Sequence, residues 1–233
     1  TDDQGQQTGA VFCAREVTEE FEGNADSSES PVAMLATARR RVELLAELSN
    51  EIAQRRESDD IFNIIANRAC AVLEADYSLV WTPDAANDLV LRAAYNLSPS
   101  GVGQSMNRLN FPSAILAMAE RDLIYVNEED AGPGGRRMLR QGGGRIALLI
   151  PLVDNDQALG VLAVHYADVD RLRRVDPELA RAVGRQCGHA VRLRNVVIEL
   201  ESSRRRLLTT LDQLPQAVVI VDAPDGHVVA MNR

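Results

Sequence analysis

Between residues 34 and 57 apolar side chains return every three or four positions. Leu35, Ala38, Val42, Leu45 and Ile52 fall on one stripe, interrupted by Ser49, which is the pattern of an amphipathic helix. A second helix is expected from about 60 to 74. Ser58, Asp59 and Asp60 supply caps and early negative charge, and Phe62, Ile65, Ala69 and Val72 form its buried stripe. The period then falls to two. In DYSLVWT, Tyr77, Leu79 and Trp81 alternate with Ser78, Val80 and Thr82; PDAAND reads as a turn, and LVLRAAY as the returning strand. Residues 96–122 hold a loop and a short helix around PSAILAMAERD, and LIYV at 123–126 is a short strand. The segment AGPGGRRMLRQGGGR carries six glycines in 15 residues and is expected to be loop. IALLIPLV and ALGVLAVHYA are two strong strands joined by the turn DNDQ.

A long helix closes the pattern. Asp176 can cap it, Pro177 suits the first helical position and Glu178 complements the dipole. Spanning 177–213, it would be roughly 55 Å long at 1.5 Å per residue. No single-domain core is that wide, so part of the helix needs another partner. At alternating spacings of three and four, Ala190, Leu193, Val197, Leu200, Arg204, Leu207, Leu211 and Leu214 form a stripe with a single charged member. That repeat predicts a coiled-coil seam and a parallel homodimer, with Arg204 as its polar interruption.

Charge changes the picture at the N-terminal end. The net charge of -9 is concentrated in residues 1–30, which hold eight acidic residues and Arg15. The remaining 203 residues are close to neutral. Residues 1–32 therefore read as a disordered acidic arm, with too little apolar surface to fold alone. An acidic chain is a poor ligand for nucleic acid. No stretch approaches the 18 or so apolar residues of a membrane span, and no basic-then-apolar leader is present. All 25 basic residues are Arg, which reads as compositional bias. Cys13, Cys70 and Cys187 are odd in number and far apart, which argues against a disulfide framework or structural zinc and fits a reducing cytoplasm.

The order of elements is α+β, not βαβ. Residues 42–200 resemble a GAF domain, a sensor module of signalling proteins. The pieces that carry the resemblance are IFNIIANRACAVLEADYSLVW, RDLIYVNEED, GGGRIALLIPLVDNDQALGVLAVHYAD and DPELARAVGRQCGHAVRLRN. The tail LDQLPQAVVIVDAPDGHVVAMNR looks like the start of a PAS domain, of which residues 214–233 would be the truncated first part. The expected organisation is thus an acidic arm over 1–32, a helix over 33–57, the GAF domain over 42–200, an exit helix over 177–213 and the start of PAS. The fold implied is a GAF-like antiparallel sheet flanked by N- and C-terminal helices, with a long C-terminal coiled-coil signalling helix.

The resemblance allows ligand classes to be checked against residues. Cyclic-nucleotide members carry Asn-Lys and then Phe-x-x-x-Asp-Glu; here Asn107-Arg108 and Phe111 are followed by Pro112, Ser113, Ala114, Ile115 and Leu116, so the acidic end is missing. The Asp-Ile-Pro motif of bilin-binding members is absent. Haem needs an imidazole facing a cavity. His165 lies in the last strand, where a lone histidine is expected to be half-buried and hydrogen-bonded. Cys187 and His189 sit two apart on a helix and point different ways, so they cannot share a metal. Ala190 follows His189 where the commonest phosphoacceptor histidines have an acidic residue. No phosphate-cradling glycine motif occurs, and no catalytic set or resident cofactor is implied. A methionine sulfoxide reductase would need cooperating cysteines near the pocket, whereas Cys70 and Cys187 fall on helices behind the sheet.

A pocket is expected between one sheet face and residues 96–145. The polar and aromatic candidates to line it are Trp81, Tyr95, Asn96, Phe111, Tyr125, Asn127 and His165. Both faces are apolar in sequence, so the lining face is left open. The function implied is the sensory module of a cytoplasmic bacterial signal-transduction protein, with a histidine kinase as parent. It would take an unidentified small molecule or partner and act through a dimeric helix on a PAS domain and an output domain. The alternative is a ligand-free GAF dimerisation module of a phosphatase or a cyclic-dinucleotide enzyme.

Overall fold

The computed structural model describes residues 61–97 and 101–213 continuously, together with positions 39, 42–43, 46, 219–221, 225–226 and 228–231. The acidic arm and Leu214 lie outside the described residues. So does the helix expected over 33–57, except Arg39, Val42, Glu43 and Ala46, which are helical. The chain divides into a unit ending at Arg192 and a unit beginning at Leu193.

In the first unit, α1 (Ile61–Val72) leads into the hairpin β1 (Tyr77–Pro83) and β2 (Leu89–Tyr95), then β3 (Ser105–Met106) and α2 (Pro112–Glu120). Next come β4 (Ile124–Asn127), α3 (Pro133–Gly142), the hairpin β5 (Ile146–Asp154) and β6 (Gln157–Tyr166), α4 (Val169–Arg173) and the start of α5 (Pro177–Asp212). The six strands form one sheet in the order β3-β2-β1-β6-β5-β4, with every recorded pair antiparallel.

Strand alternation sorts the core into two layers. On one face Val80, Leu148, Ile150, Leu152, Leu162, Val164 and Tyr166 pack under α1 and the first part of α5, joined by Ala180, Val183, Cys187 and Val191. Two polar anchors hold α1 and its exit turn there. Ser78 Oγ donates to the Ala66 carbonyl at 2.6 Å and the Tyr166 hydroxyl to the Leu73 carbonyl at 2.8 Å. On the other face Leu79, Trp81, Leu89, Leu91, Val126, Ala147, Leu149, Val161 and Ala163 are covered by α2, α3 and Phe111.

The alternation is broken in the first hairpin. β1 and β2 shift register between Val80, opposite Ala93, and Trp81, opposite Leu91. Arg92 is the extra residue of this bulge, and its Nε donates to Thr82 Oγ1 at 2.7 Å. An extra residue reverses which side chains point to which face. Leu89 and Leu91 therefore share the face of Trp81, while Ala93 and Tyr95 join the opposite, helix-covered core.

The glycine-rich segment is not a loop. Residues 133–142 are α3, with Pro133 in its first turn and Gly143 closing it in the left-handed region at φ 70. These are ordinary helix punctuation. The internal glycines serve contact instead. A Cβ on Gly134 would sit 2.4 Å from the Phe111 ring, and one on Gly142 would sit 2.3 Å from the Tyr77 ring. Tyr77 fastens the helix down, its hydroxyl donating to the carbonyls of Met138 and Leu139 at 3.1 and 3.3 Å. α5 also approaches the sheet through glycines. A Cβ on Gly184 would lie 2.6 Å from the Pro151 carbonyl oxygen, and one on Gly188 would lie 2.3 Å from that of Val153.

The second unit contains the rest of α5, which runs to Asp212, and a two-stranded antiparallel sheet of β7 (Val219–Val221) and β8 (Val228–Met231). Among the described residues no helix is long and apolar enough to cross a membrane.

Candidate functional site

A cavity of about 50 Å³ lies between the second sheet face and helices α2 and α3. One water needs roughly 10–15 Å³ on this measure, so the space takes a few waters or a small molecule. Its floor is Leu79, Trp81, Ala147, Leu149, Val161, Ala163 and His165; its roof includes Phe111, Ser113, Ala114, Gly132, Gly135 and Met138. No lining side chain is an Asp, Glu, Lys or Arg.

His165 is the polar residue of the floor. Position 165 follows Val161 and Ala163 at a spacing of two along β6, so alternation turns its ring onto the cavity face. The ring stacks on Tyr77, with centroids 4.3 Å apart and planes 10° apart. It is only 3% exposed, and neither Nδ1 nor Nε2 has a hydrogen-bond partner. Burial drives its pKa from the ordinary 6.5 down to about 3, so the imidazole is neutral at physiological pH. It was expected to be half-buried and hydrogen-bonded; it is instead fully buried and unpartnered.

The roof supplies a second unpartnered group. Ser113 is in the first turn of α2, 5% exposed, and its Oγ has no partner. Two helix starts meet here. A Cβ on Gly132, the N-cap of α3, would lie 2.4 Å from Cδ of Pro112, the first residue of α2. Neither N-cap, Phe111 for α2 or Gly132 for α3, makes a side-chain capping bond. Each helix begins with a proline, Pro112 and Pro133, which has no N–H to leave unpaired.

Of the seven residues expected to line a pocket, Trp81, Phe111 and His165 do so, and the Trp81 and Phe111 rings lie 5.0 Å apart. The other four are elsewhere. The bulge turns Tyr95 to the helix-covered core, and Tyr125 packs in that same core. Asn96 Nδ2 donates to the Asp76 carbonyl at 3.1 Å, and Asn127 Oδ1 accepts from the Asp130 amide at 2.8 Å. Ser113 was missed, although Pro-Ser after an aromatic residue is a legible helix start.

The expected seam divides between the units. Ala190 is 3% exposed within the core of the first unit. Leu193, Val197, Leu200 and Leu207 are 51–68% exposed, and Arg204 is exposed as well. Leu211 is helical.

Cys187 lies in the helix-covered core, and Cys70 is buried on α1 with its Sγ donating to the Ala75 carbonyl at 3.1 Å; neither lines the cavity. Burial pushes the Cys70 thiol up to about 11, with the Asp76 charge adding to it, and burial alone pushes Cys187 up to about 12. Neither is poised as a thiolate. Among the described residues no group of three or more His, Cys, Asp or Glu side chains is placed to hold a metal ion.

Comparison with known proteins agrees with this geometry. Residues 57–191 match the family model described as GAF domain. The fold is similar to the GAF domain of a phosphoenolpyruvate-protein phosphotransferase from Coxiella burnetii, with a TM-score of 0.55 and 17% identity over 72% of this chain and 98% of that one. The corresponding domain from Acinetobacter gives 0.52 and 17%, over 67% and 95%. A phycocyanobilin-bound GAF domain from a cyanobacterial phytochrome gives 0.52 and 16%, over 67% and 96%. No curated protein matches the chain at a significant level.

Proposed function

This chain belongs to the GAF domain family, and we propose that it is the sensory module of a cytoplasmic bacterial signalling protein, with a histidine kinase as parent. A small molecule in the cavity biases the domain, and a pair of α5 helices passes the bias to a PAS domain beginning at Leu214 and to an output domain. The observation that carries this reading is the pair of buried, unpartnered polar side chains, His165 and Ser113, facing one cavity. A polar group buried without a partner costs about 1–3 kcal/mol. A core selected only for packing would not keep two of them around an open space, whereas a binding site would. The cavity is far too small for an open-chain tetrapyrrole such as the one bound by the phytochrome domain, so the ligand class differs from that relative's.

The apolar, exposed stripe of Leu193, Val197, Leu200 and Leu207 supports pairing of the helix, because its three-four spacing is that of a coiled-coil seam. Sedimentation of the chain across concentration tests it. A concentration-dependent dimer is expected, weakened by Leu200→Asp or Leu207→Asp and tightened by Arg204→Leu, which removes a charge from the seam. A monomer throughout, indifferent to these substitutions, removes the transmission element.

A further inference from the structure

We propose that the cavity takes a small uncharged molecule with no polar end, a light hydrocarbon of about two to four carbon atoms, held by contact with the walls alone. This rests on the small-molecule reading above and names the ligand's chemistry.

The walls decide the class. No Asp, Glu, Lys or Arg side chain lines the space, so an ion of either sign would leave its hydration shell and meet no counter-charge. The backbone offers no substitute. The floor strands β1, β5 and β6 all lie inside the sheet, each with a neighbour on both sides, so their amides and carbonyls are committed to the ladder. The roof helices begin with Pro112 and Pro133, which have no N–H. Ser113 Oγ and both His165 nitrogens expose practically no surface, so it is the carbon atoms of these residues that meet the space. Water is a poor occupant for the same reason, because a buried water needs about two to four polar partners.

Small side chains from separate elements keep the space open. Ala114 comes from α2, Ala131 from the turn before α3, Gly135 from α3, Ala147 from β5 and Ala163 from β6. A leucine at one of these positions would fill it. Close-packed cores hold few voids larger than a water, and an unfilled void of this size destabilises the core around it. An occupant that matches the walls restores the missing contacts. Size sets the chain length. An apolar cavity of about 150 Å³ takes benzene, so a space of about 50 Å³ suits about two to four non-hydrogen atoms.

The chain carries its own reporter, because its single tryptophan, Trp81, lines the cavity. The whole 233-residue chain is titrated with propane, and separately with ethanol and acetamide, which are of similar size but carry a polar end, while Trp81 emission is followed. The expected result is a saturable response to propane, with ethanol and acetamide at least about tenfold weaker, because each buries a polar group without a partner. Ala163→Leu, which fills the cavity floor, should abolish the response. If that variant does not fold, as judged by circular dichroism, Ala114→Leu fills the space from the roof instead. If neither folds, the propane-against-ethanol comparison in the unmodified chain decides alone. Ethanol or acetamide binding as tightly as propane overturns the apolar class while leaving a small-molecule sensor standing. No saturable response to propane, or one that survives in a folded variant with the cavity filled, overturns the proposal outright. Propane that binds without changing the self-association read by sedimentation leaves the ligand class standing and counts against the sensory reading instead.

Discussion

His165→Phe should make this protein more stable. The imidazole is buried, its two nitrogens have no partner, and its ring is stacked on Tyr77. Phenylalanine keeps the stack, removes both polar atoms, and has the adjacent cavity to accept its slightly larger ring. Relief of one unsatisfied buried group is worth about 1–3 kcal/mol. For a chain of this size each 1 kcal/mol moves Tm by roughly 2–4 °C, so a gain of about 2 kcal/mol raises Tm by about 4–8 °C. Acid should widen the difference. The folded-state pKa of about 3 lies below the ordinary 6.5, so between these values the unfolded chain binds a proton that the folded chain refuses. Wild-type stability is therefore complete above about pH 6.5 and is lost as pH falls toward 3, by up to about 1.4 kcal/mol per pH unit from this group. The variant has no such group, and its advantage should be about 2 kcal/mol larger at pH 5 than at pH 7. Urea unfolding of both proteins at the two pH values, followed by Trp81 emission, measures this directly. A variant less stable than wild type at pH 7, or a gap that does not grow at pH 5, would refute the reasoning by showing that the imidazole has a hydrogen-bond partner in solution.

Gly188→Ala places a methyl group 2.3 Å from the Val153 carbonyl oxygen, and α5 must lift off the sheet. The expected loss is about 3 kcal/mol, seen as a fall in Tm, and a change below about 1 kcal/mol contradicts the close packing. Tyr77→Phe removes the hydroxyl that holds the Met138 and Leu139 carbonyls. It should cost about 1–2 kcal/mol and speed amide exchange in α3 more than in α1; uniform acceleration counts against a local anchor. In native protein at pH 8, iodoacetamide should leave Cys70 and Cys187 unmodified, because burial keeps both thiols protonated. Mass spectrometry showing rapid labelling of either contradicts that burial.

The sheet was legible because alternation survives where one face differs from the other. Tyr77, Leu79 and Trp81 against Ser78 and Val80 is read directly off the chain, and the paired strands of β5 and β6 announce themselves by length and apolarity. The face that lines the cavity was not legible, because Leu162 and Val164 are as apolar as Val161 and Ala163. Tyr95 was misplaced by one residue of register. The bulge at Arg92 is set by its bond to Thr82 across the hairpin, and nothing in LVLRAAY marks it. The segment 131–145 was read as loop because glycine lowers helix propensity. That argument weighs glycine's freedom and ignores its smallness, which is what the rings of Tyr77 and Phe111 require of positions 142 and 134. His165 was singled out from sequence, but its missing partners and the convergence of two helix starts beside Ser113 are three-dimensional facts.

β5 is a shared wall. Ala147 and Leu149 form part of the cavity floor on one side, and the backbone at Pro151 and Val153 carries Gly184 and Gly188 on the other. Most helices rest on a sheet through side chains, which can change rotamer and absorb a small displacement. At these two positions no such cushion exists, because backbone meets backbone. The joint has no backlash. A shift of this strand made to admit an occupant has no soft layer in which to dissipate before it reaches the helix. Even an alanine at either glycine would put a wedge into that joint.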